Sequence, residues 1–334
     1  MIIATIACTN YLPKAMFLAK TARMHHPHAT IALCILEKIL PRPALECKLF
    51  DDVFLAADLG YENFDAYIFR HNLTEACTAI KAKLLSFLFE RHPNEELVVF
   101  LDPDIWIFSP LNEIFLNSTF DVAVTPHHLE DETTLEATKD NVFRTLQCGV
   151  FNLGFLAIRR SEVAFDFLKW WDRKLRMFCY VDFSRGLFID QKWIDLAIIF
   201  FDLHILRHPG YNVANWNISK RILSYSGPEL LVNREPLRFI HFSGIDSGRD
   251  LRIFHRYAPD PNAIIHKLRK EYKCHVKSMD QNSLAQESWS YDFYETGERI
   301  MLEARIACRN NPKLLVLYPR PFSEGNEAFN SIGW

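Results

Sequence analysis

Residues 97–111 read LVVFLDPDIWIFSPL. Five apolar residues, Leu97–Leu101, have the length and composition of a fully buried strand. The strand runs directly into Asp102-Pro103-Asp104. Open α/β sheets bind their ligands beyond the carboxyl ends of strands. Two carboxylates held there are costly unless something positive joins them. Spaced i and i+2 across a proline-stiffened turn, they can face one divalent ion, and carboxylate oxygens suit Mg²⁺ or Mn²⁺. Alone, the pair reads better as caps for the next turn; its position after a buried strand, together with the companion segments below, favours the ion.

Outward from that stretch, Ile2–Ala7, Thr30–Leu36, Asp52–Ala56 and Asp121–Val124 are further short apolar or β-branched runs. Helical patterns lie between them: one from Pro13 to about His25, and one capped by Thr74 and running through Arg91. The alternation predicts an α/β fold with a largely parallel sheet covered on both faces. Val150–Ile158 continues it as a strand. Ser161 then caps a helix carrying Ala164, Leu168, Trp171 and Leu175 on one face. Asp190–Phe201 reads as a helix, and Leu203–Arg207 and Leu237–Phe242 read as later strands. After about Arg256 the pattern becomes amphipathic and helical over 260–310, with an irregular end from Pro319 to Trp334. The expected division is one α/β domain that carries the aspartate pair over 1–256 and a mainly helical extension over 257–334 packed on it.

The chain of 334 residues has a formal net charge of −3, which lacks the basic footprint of a nucleic-acid binder. Its eight cysteines include no CxxC pair and read as reduced thiols of a cytoplasmic protein. No run reaches the length of a membrane span, and the apolar start, MIIATIACTN, reads as a strand rather than a leader. GxGxxG, GxSxG and HExxH are all missing, so NAD-linked, serine-hydrolase and zincin chemistries have no support.

Four segments mix polar residues into apolar surroundings. His241, in FIHFSG near a strand end, can complete a metal shell with its neutral imidazole or be a core residue. Gly244 lets backbone N–H groups approach a phosphate. In CGVFNLGFLAI, Asn152 and Gly154 mark either a bulge or a hydrogen bond to a sugar hydroxyl. In FIDQKWIDL, Asp190 and Gln191 either open a helix or face substrate. YNVANWNISKR offers amides, Trp216, Lys220 and Arg221 to a sugar and its phosphates, or forms a solvated loop. Trp170, Trp171, Trp193 and Trp216 are aromatic candidates for an acceptor platform, with Trp170 and Trp171 better suited to helix packing.

The ordered set ACTNYL (7–12), KLLSF (83–87), FLDPDIWIFSPL (100–111), GVFNLGFLAIRRS (149–161), FIDQKWIDL (188–196), GYNVANWNI (210–218) and FIHFSG (239–244) resembles the GT-A glycosyltransferases, especially family 8 and related bacterial enzymes of surface-polysaccharide assembly. The resemblance spans about Ile2 to Gly244. It implies that Asp102, Asp104 and His241 hold the metal, usually Mn²⁺. Thr9, Asn10 and Tyr11 would contact the nucleotide, and Lys83 would reach the donor. Asn152, Gly154, Asp190 and Gln191 would line the donor sugar and reaction centre, with Asn152, Asp190 and Gln191 as catalytic candidates. Gly244 would sit near the diphosphate. Family 8 often has Lys and Trp after His-x-x-Gly, whereas this chain continues Ile245-Asp246-Ser247-Gly248-Arg249; Arg249, Lys220 or Arg221 is then the phosphate cation. The expected activity is metal-dependent transfer from a nucleotide-diphosphate sugar, UDP by resemblance, to a glycan or lipid-linked acceptor. Retention of the anomeric configuration is the favoured outcome. The expected place of work is the cytoplasm or the inner face of the plasma membrane. The rival from another class is a non-catalytic sugar-nucleotide-binding or scaffold subunit.

Overall fold

In the computed structural model, residues 1–280 and 283–330 are described. The chain is an α/β protein built on a seven-stranded, mostly parallel sheet. Its strands are β1 (Ile2–Ala7), β2 (Thr30–Ile35), β3 (Asp52–Leu55), β4 (Leu97–Leu101), β6 (Val122–Pro126), β7 (Phe151–Arg159) and Leu203–Ile205. From one edge the order is Leu203–Ile205, β6, β7, β4, β1, β2, β3. Only β7 runs against its neighbours, antiparallel to both β4 and β6. The short strand β5 (Ile105–Ile107) lies outside this sheet, antiparallel to Phe239–His241.

Strand side chains alternate between faces, so β1 feeds two cores. Ile2, Ala4 and Ile6 join Val98, Phe100, Leu156 and Ile158 under the helices Lys81–Arg91 and Glu162–Met177. Ile3 and Ala7 join Leu33, Val99, Leu101 and Ala157 under the helix Leu12–His25. Trp289, Tyr291, Tyr294, Phe322 and Phe329, from the last part of the chain, are buried in the first of these clusters. A third cluster packs Ile240 and Phe242 against Phe254, Leu268 and Tyr272. Among the described residues no helix is long and apolar enough to cross a membrane.

Several local expectations need correction. The helix expected from Thr74 to Arg91 is two helices, Leu73–Ala79 and Lys81–Arg91. Asn72 rather than Thr74 caps the first: its side chain accepts from Glu75 N at 3.0 Å, and Glu75 accepts in return from Asn72 N at 2.9 Å. The helix expected over 190–201 begins only at Ile194, with Trp193 at the capping position. Asp190 therefore caps nothing. Over 260–310 the long helices are Ile264–Met279 and Leu302–Asn310, and the stretch between them is largely irregular. The tail from Pro319 forms short helical turns at Pro321–Ser323 and Asn326–Asn330; residues 331–334 lie outside the described part.

Candidate functional site

β4 ends at Leu101, and the chain turns at once through Asp102-Pro103-Asp104, with Ile105 N donating to Asp102 O at 3.2 Å. Asp102 N donates to Gly154 O at 2.8 Å, fixing the turn to β7. β5 then pairs with Phe239–His241 so that His241 lies opposite Ile105. Phe242 N also bonds Asp104 O at 2.9 Å. This second small sheet carries the imidazole to the carboxylates: His241 Nε2 lies 3.0 Å from Asp104 Oδ1 and 3.8 Å from Asp102 Oδ2. One ligand atom from each of the three residues lies within 4.8 Å of the others.

The arrangement asks for a cation. Asn212 directs its amide nitrogen to Thr125 Oγ1 and Asn152 Oδ1, both at 2.9 Å. Its amide oxygen therefore faces His241 Nδ1, 3.3 Å away. An amide oxygen only accepts, so Nδ1 carries a proton; a protonated Nε2 then donates to Asp104, and a neutral ring turns its Nε2 lone pair toward the two acids. Three acceptors cannot converge without a proton or metal between them. Burial alone would lower the His241 pKa, but the charge and hydrogen bond of Asp104 outweigh it and raise the value. Burial likewise opposes ionisation of Asp104, yet His241 holds its carboxyl below the usual range. Two carboxylates and one imidazole fit Mn²⁺ or Mg²⁺.

Beside the triad lies a second charged group. Lys81, on the first turn of its helix, is buried; its Nζ is 3.3 Å from Asp102 Oδ1, 3.1 Å from Asp190 Oδ2 and donates to Leu153 O at 2.9 Å. Burial would lower the Lys81 pKa, but Asp102 and Asp190 raise it. Asp190 is 1% exposed, and neither of its carboxylate oxygens accepts a well-formed hydrogen bond. Burial pushes its pKa up to about 6 against the pull of Lys81. The residue before it, Ile189, has φ +42°. That conformation is a genuine outlier for a β-branched side chain and places strain at the site.

β7 breaks its pairing where the site needs room. Its register with β6 shifts between Val124 and Thr125, so Val124 faces Leu156 while Thr125 faces Asn152. In the gap, Asn152 Oδ1 accepts from Gly154 N at 3.1 Å, and Asn152 Nδ2 donates to Gln191 Oε1 at 3.3 Å. Gln191 also donates to Cys148 O at 3.0 Å. Gly154 is required sterically: a Cβ there would stand 2.4 Å from His241 Cε1. The bulge expected of this segment is present.

These groups share a cleft of about 1170 Å³. Its walls include Tyr11, Lys81, Asp102, Asp104, Asn152, Gly154, Asp190, Gln191, His241 and Gly244, the last with φ +78°. Thr9 and Asn10 sit on the turn beside it but do not line it; Thr9 N is bonded to Glu37 at 2.8 Å, and Asn10 Oδ1 accepts from Cys8 Sγ at 2.7 Å. Lys83 is also outside the lining and runs alongside Gly60. Residues two positions apart on a helix point about 200° from each other, so Lys81 and Lys83 cannot face the same cleft. Of the three candidate phosphate cations, Arg249 lines the cleft, while Lys220 and the buried Arg221 do not. Trp216 lines it as well, edge-on to His241 with ring centres 5.3 Å apart. Trp170 and Trp171 are buried in the core.

Sequence reasoning missed Lys81, Asn212 and His127. The last is buried at the cleft wall, its Nδ1 without a partner like Trp216 Nε1, and burial pushes its pKa down to about 3. An unpartnered buried ring nitrogen leaves no trace in sequence.

No family model matches the chain. It is 26% identical over 215 residues to the uncharacterized protein YfnF of Bacillus subtilis, covering 61% of this chain and 68% of that protein. It is 24% identical over 209 residues to YfnD of the same organism, covering 61% and 65% respectively. The chain therefore spans about two thirds of the length of these relatives. Solved structures similar to it include the galactosyltransferase LgtC with donor and acceptor sugar analogs (16% identity, 83% of this chain and 96% of that one, TM-score 0.48). Others are the bifunctional glycosyltransferase WbbM (15%, 77% and 52%, 0.45) and mouse xyloside xylosyltransferase 1 (11%, 73% and 98%, 0.42).

Proposed function

We propose that this chain is a metal-dependent glycosyltransferase of the GT-A type, moving a sugar from a nucleotide-diphosphate sugar to a glycan or lipid-linked acceptor. One observation carries the reading: two carboxylates and an imidazole converge at a strand end, in a cleft that also holds the buried Lys81–Asp190 pair.

Asp102, Asp104 and His241 would hold Mn²⁺ or Mg²⁺. When bound, that ion supplies positive charge against the diphosphate as its oxygens take up electrons. Arg249 supports the same charge from the cleft wall, and Gly244 lets backbone approach the phosphates. Lys81 keeps Asp190 and Asp102 in place. Asp190, paired with Lys81, lies behind the sugar side of the cleft, while Gln191 and Asn152 fix its wall. His127 and Trp216 stand on the cleft wall, and their ring nitrogens Nδ1 and Nε1 are buried without a hydrogen-bond partner.

In the transfer, the bond between the anomeric carbon and the phosphate oxygen breaks, and its electrons stay on the phosphate. The acceptor oxygen bonds to that carbon and loses its proton to a phosphate oxygen. Attack from the leaving-group side retains configuration and needs no protein base. A role in surface-polysaccharide synthesis, UDP as the carrier and work at the inner membrane face belong to the same proposal.

The test is a donor screen by mass spectrometry with and without Mn²⁺, scoring release of nucleoside diphosphate and gain of a sugar by the acceptor. Turnover should vanish in Asp102→Ala and Asp104→Ala. Full turnover by a folded Asp102→Ala would end the proposal. Tight binding of a sugar nucleotide with no turnover on any acceptor would favour the scaffold alternative.

A further inference from the structure

A buried guanidinium needs a partner for its charge and for its N–H donors. Four arginines are buried among the described residues: Arg221, Arg238, Arg269 and Arg305. Three of them have that partner. Arg238 Nη2 stands 2.6 Å from Glu113 Oε1, Arg269 Nε 2.5 Å from Asp250 Oδ2, and Arg305 Nη2 3.1 Å from Asp292 Oδ1. Arg221 differs. It is 4% exposed, and its Nε is buried with no hydrogen-bond partner. Among the described residues no acid lies within ion-pair distance of it; the acid whose charge reaches it, Glu130, is exposed. Burial pushes the Arg221 pKa down to about 10 against the pull of Glu130, so the charge persists at neutral pH.

The surroundings do not relieve it. Arg221 follows the helical turn Ile218–Lys220. Ser219 in that turn donates to Glu132, and Asn141 Nδ2 donates to Glu132 Oε1 at 2.7 Å, so this buried acid is already engaged. Burial lowers the pKa of His128 and of His208, and the Arg221 charge lowers each further. The same elements adjoin the cleft. Asn141 lines it, as does Thr145, whose Oγ1 lies 2.9 Å from His128 Nε2.

We propose that Arg221 anchors a site for an oxyanion, the phosphate or carboxylate group of a ligand, apart from the metal centre. A guanidinium presents a planar fork of N–H donors that matches two oxygens of such a group. An arriving oxyanion supplies the missing negative charge and the missing acceptors together. The donor diphosphate is the poorer candidate, because Asp102, Asp104, His241 and Arg249 line the cleft and Arg221 does not. Assigning the group to an acidic acceptor that enters beside residues 127–145 rests on the transfer reading; the anion site itself does not. The rival partner is Glu130, turned inward.

The experiment is thermal melting of the full chain, without added metal, in chloride, acetate or inorganic phosphate at equal ionic strength. The wild type should gain Tm with rising phosphate or acetate, and the anion that acts identifies the group. Arg221→Met should weaken the apparent affinity for that anion at least about tenfold. It should not lower the Tm in chloride, because an unneutralised buried charge gives way to an apolar chain. Arg249→Ala, in the cleft, should keep the wild-type response, and Glu130→Gln should keep the wild-type Tm in chloride. No response by the wild type, or an equal response by folded Arg221→Met, overturns the proposal. So does a matching loss of Tm in chloride by Arg221→Met and Glu130→Gln, which makes Glu130 the partner. Should Arg221→Met fail to fold, Arg221→Lys decides: it keeps the charge and loses the fork, and an unchanged affinity overturns the site. A chain that binds the anion and transfers no sugar would leave this inference standing while the transfer proposal fell.

Discussion

Replacing Gly154 by alanine tests the metal centre without touching a ligand. Gly154 has no left-handed φ, so the substitution adds a methyl group and no backbone strain. That methyl would lie 2.4 Å from His241 Cε1, 2.7 Å from His241 Nδ1 and 2.9 Å from Asn152 Oδ1. Carbon contacts settle near ~3.5 Å, so the ring must retreat by about 1 Å. It has little freedom to do so. The His241 backbone bonds Val213 O at 2.8 Å, and Asn212 and Trp216 pack on the ring. The retreat pulls Nε2 from Asp104 and strains the Asn212 bond. Overpacking of this kind costs about 1–3 kcal/mol, a fall in Tm of roughly 1–4 °C for a chain of this size. Displacing a ligand or its supporting bond weakens metal binding by about 10–100-fold. Calorimetric titration with Mn²⁺ and melting in a chelator measure the two effects. Wild-type affinity together with a wild-type Tm would refute the steric argument and the assignment of His241 as a ligand.

Asp104→Asn should weaken Mn²⁺-dependent binding of nucleoside diphosphate by at least about 10²-fold, read by titration with and without the ion; equal affinity in both states counts against the site. Asp190 has a folded pKa raised to about 6 from 3.8. Its proton therefore stabilises the fold fully below the unfolded value, and that contribution is lost as pH rises through about 6, by about 3 kcal/mol. In chelator, Asp190→Asn should flatten the decline of stability between pH 4 and 6, measured by denaturant unfolding; an unchanged profile means Asp190 is not the group responsible. Arg249→Ala should lower donor affinity by about tenfold, while Lys220→Ala leaves it unchanged because Lys220 lies outside the cleft. A larger loss from Lys220→Ala in donor titration would reverse that assignment.

Much of the fold is legible in the sequence, because strands buried on both faces are short apolar runs bounded by turns. β1 and β4 begin and end where the pattern predicts. The direction of β7 is not legible: a strand buried on both faces reads the same whether it runs with or against its neighbours. The aspartate pair is legible because carboxylates seldom follow an apolar strand without a reason. The neighbouring lysine is not, since KAKLL offers two and only the start of the helix at Lys81 decides which faces inward. Asp190 at the head of FIDQKWIDL imitates a helix cap, and only the strained turn at Ile189, which delays the helix, separates the two roles. Asn212 stands in a segment of asparagines that the sequence marks as polar; its φ of +52° and its grip on His241 appear only once Phe239–His241 pairs with β5.

That pairing has a consequence for biogenesis. Two of the three convergent side chains are made early on the ribosome and the third much later, and β5 has no partner strand until Phe239–His241 emerges. A nascent or truncated chain ending before that point can build most of the central sheet, yet it holds an open acidic turn with no imidazole to close it. For the proposed metal site, loading of the ion would thereby be deferred to the final stages of folding, as a latch on a finished molecule rather than a seed for an unfinished one.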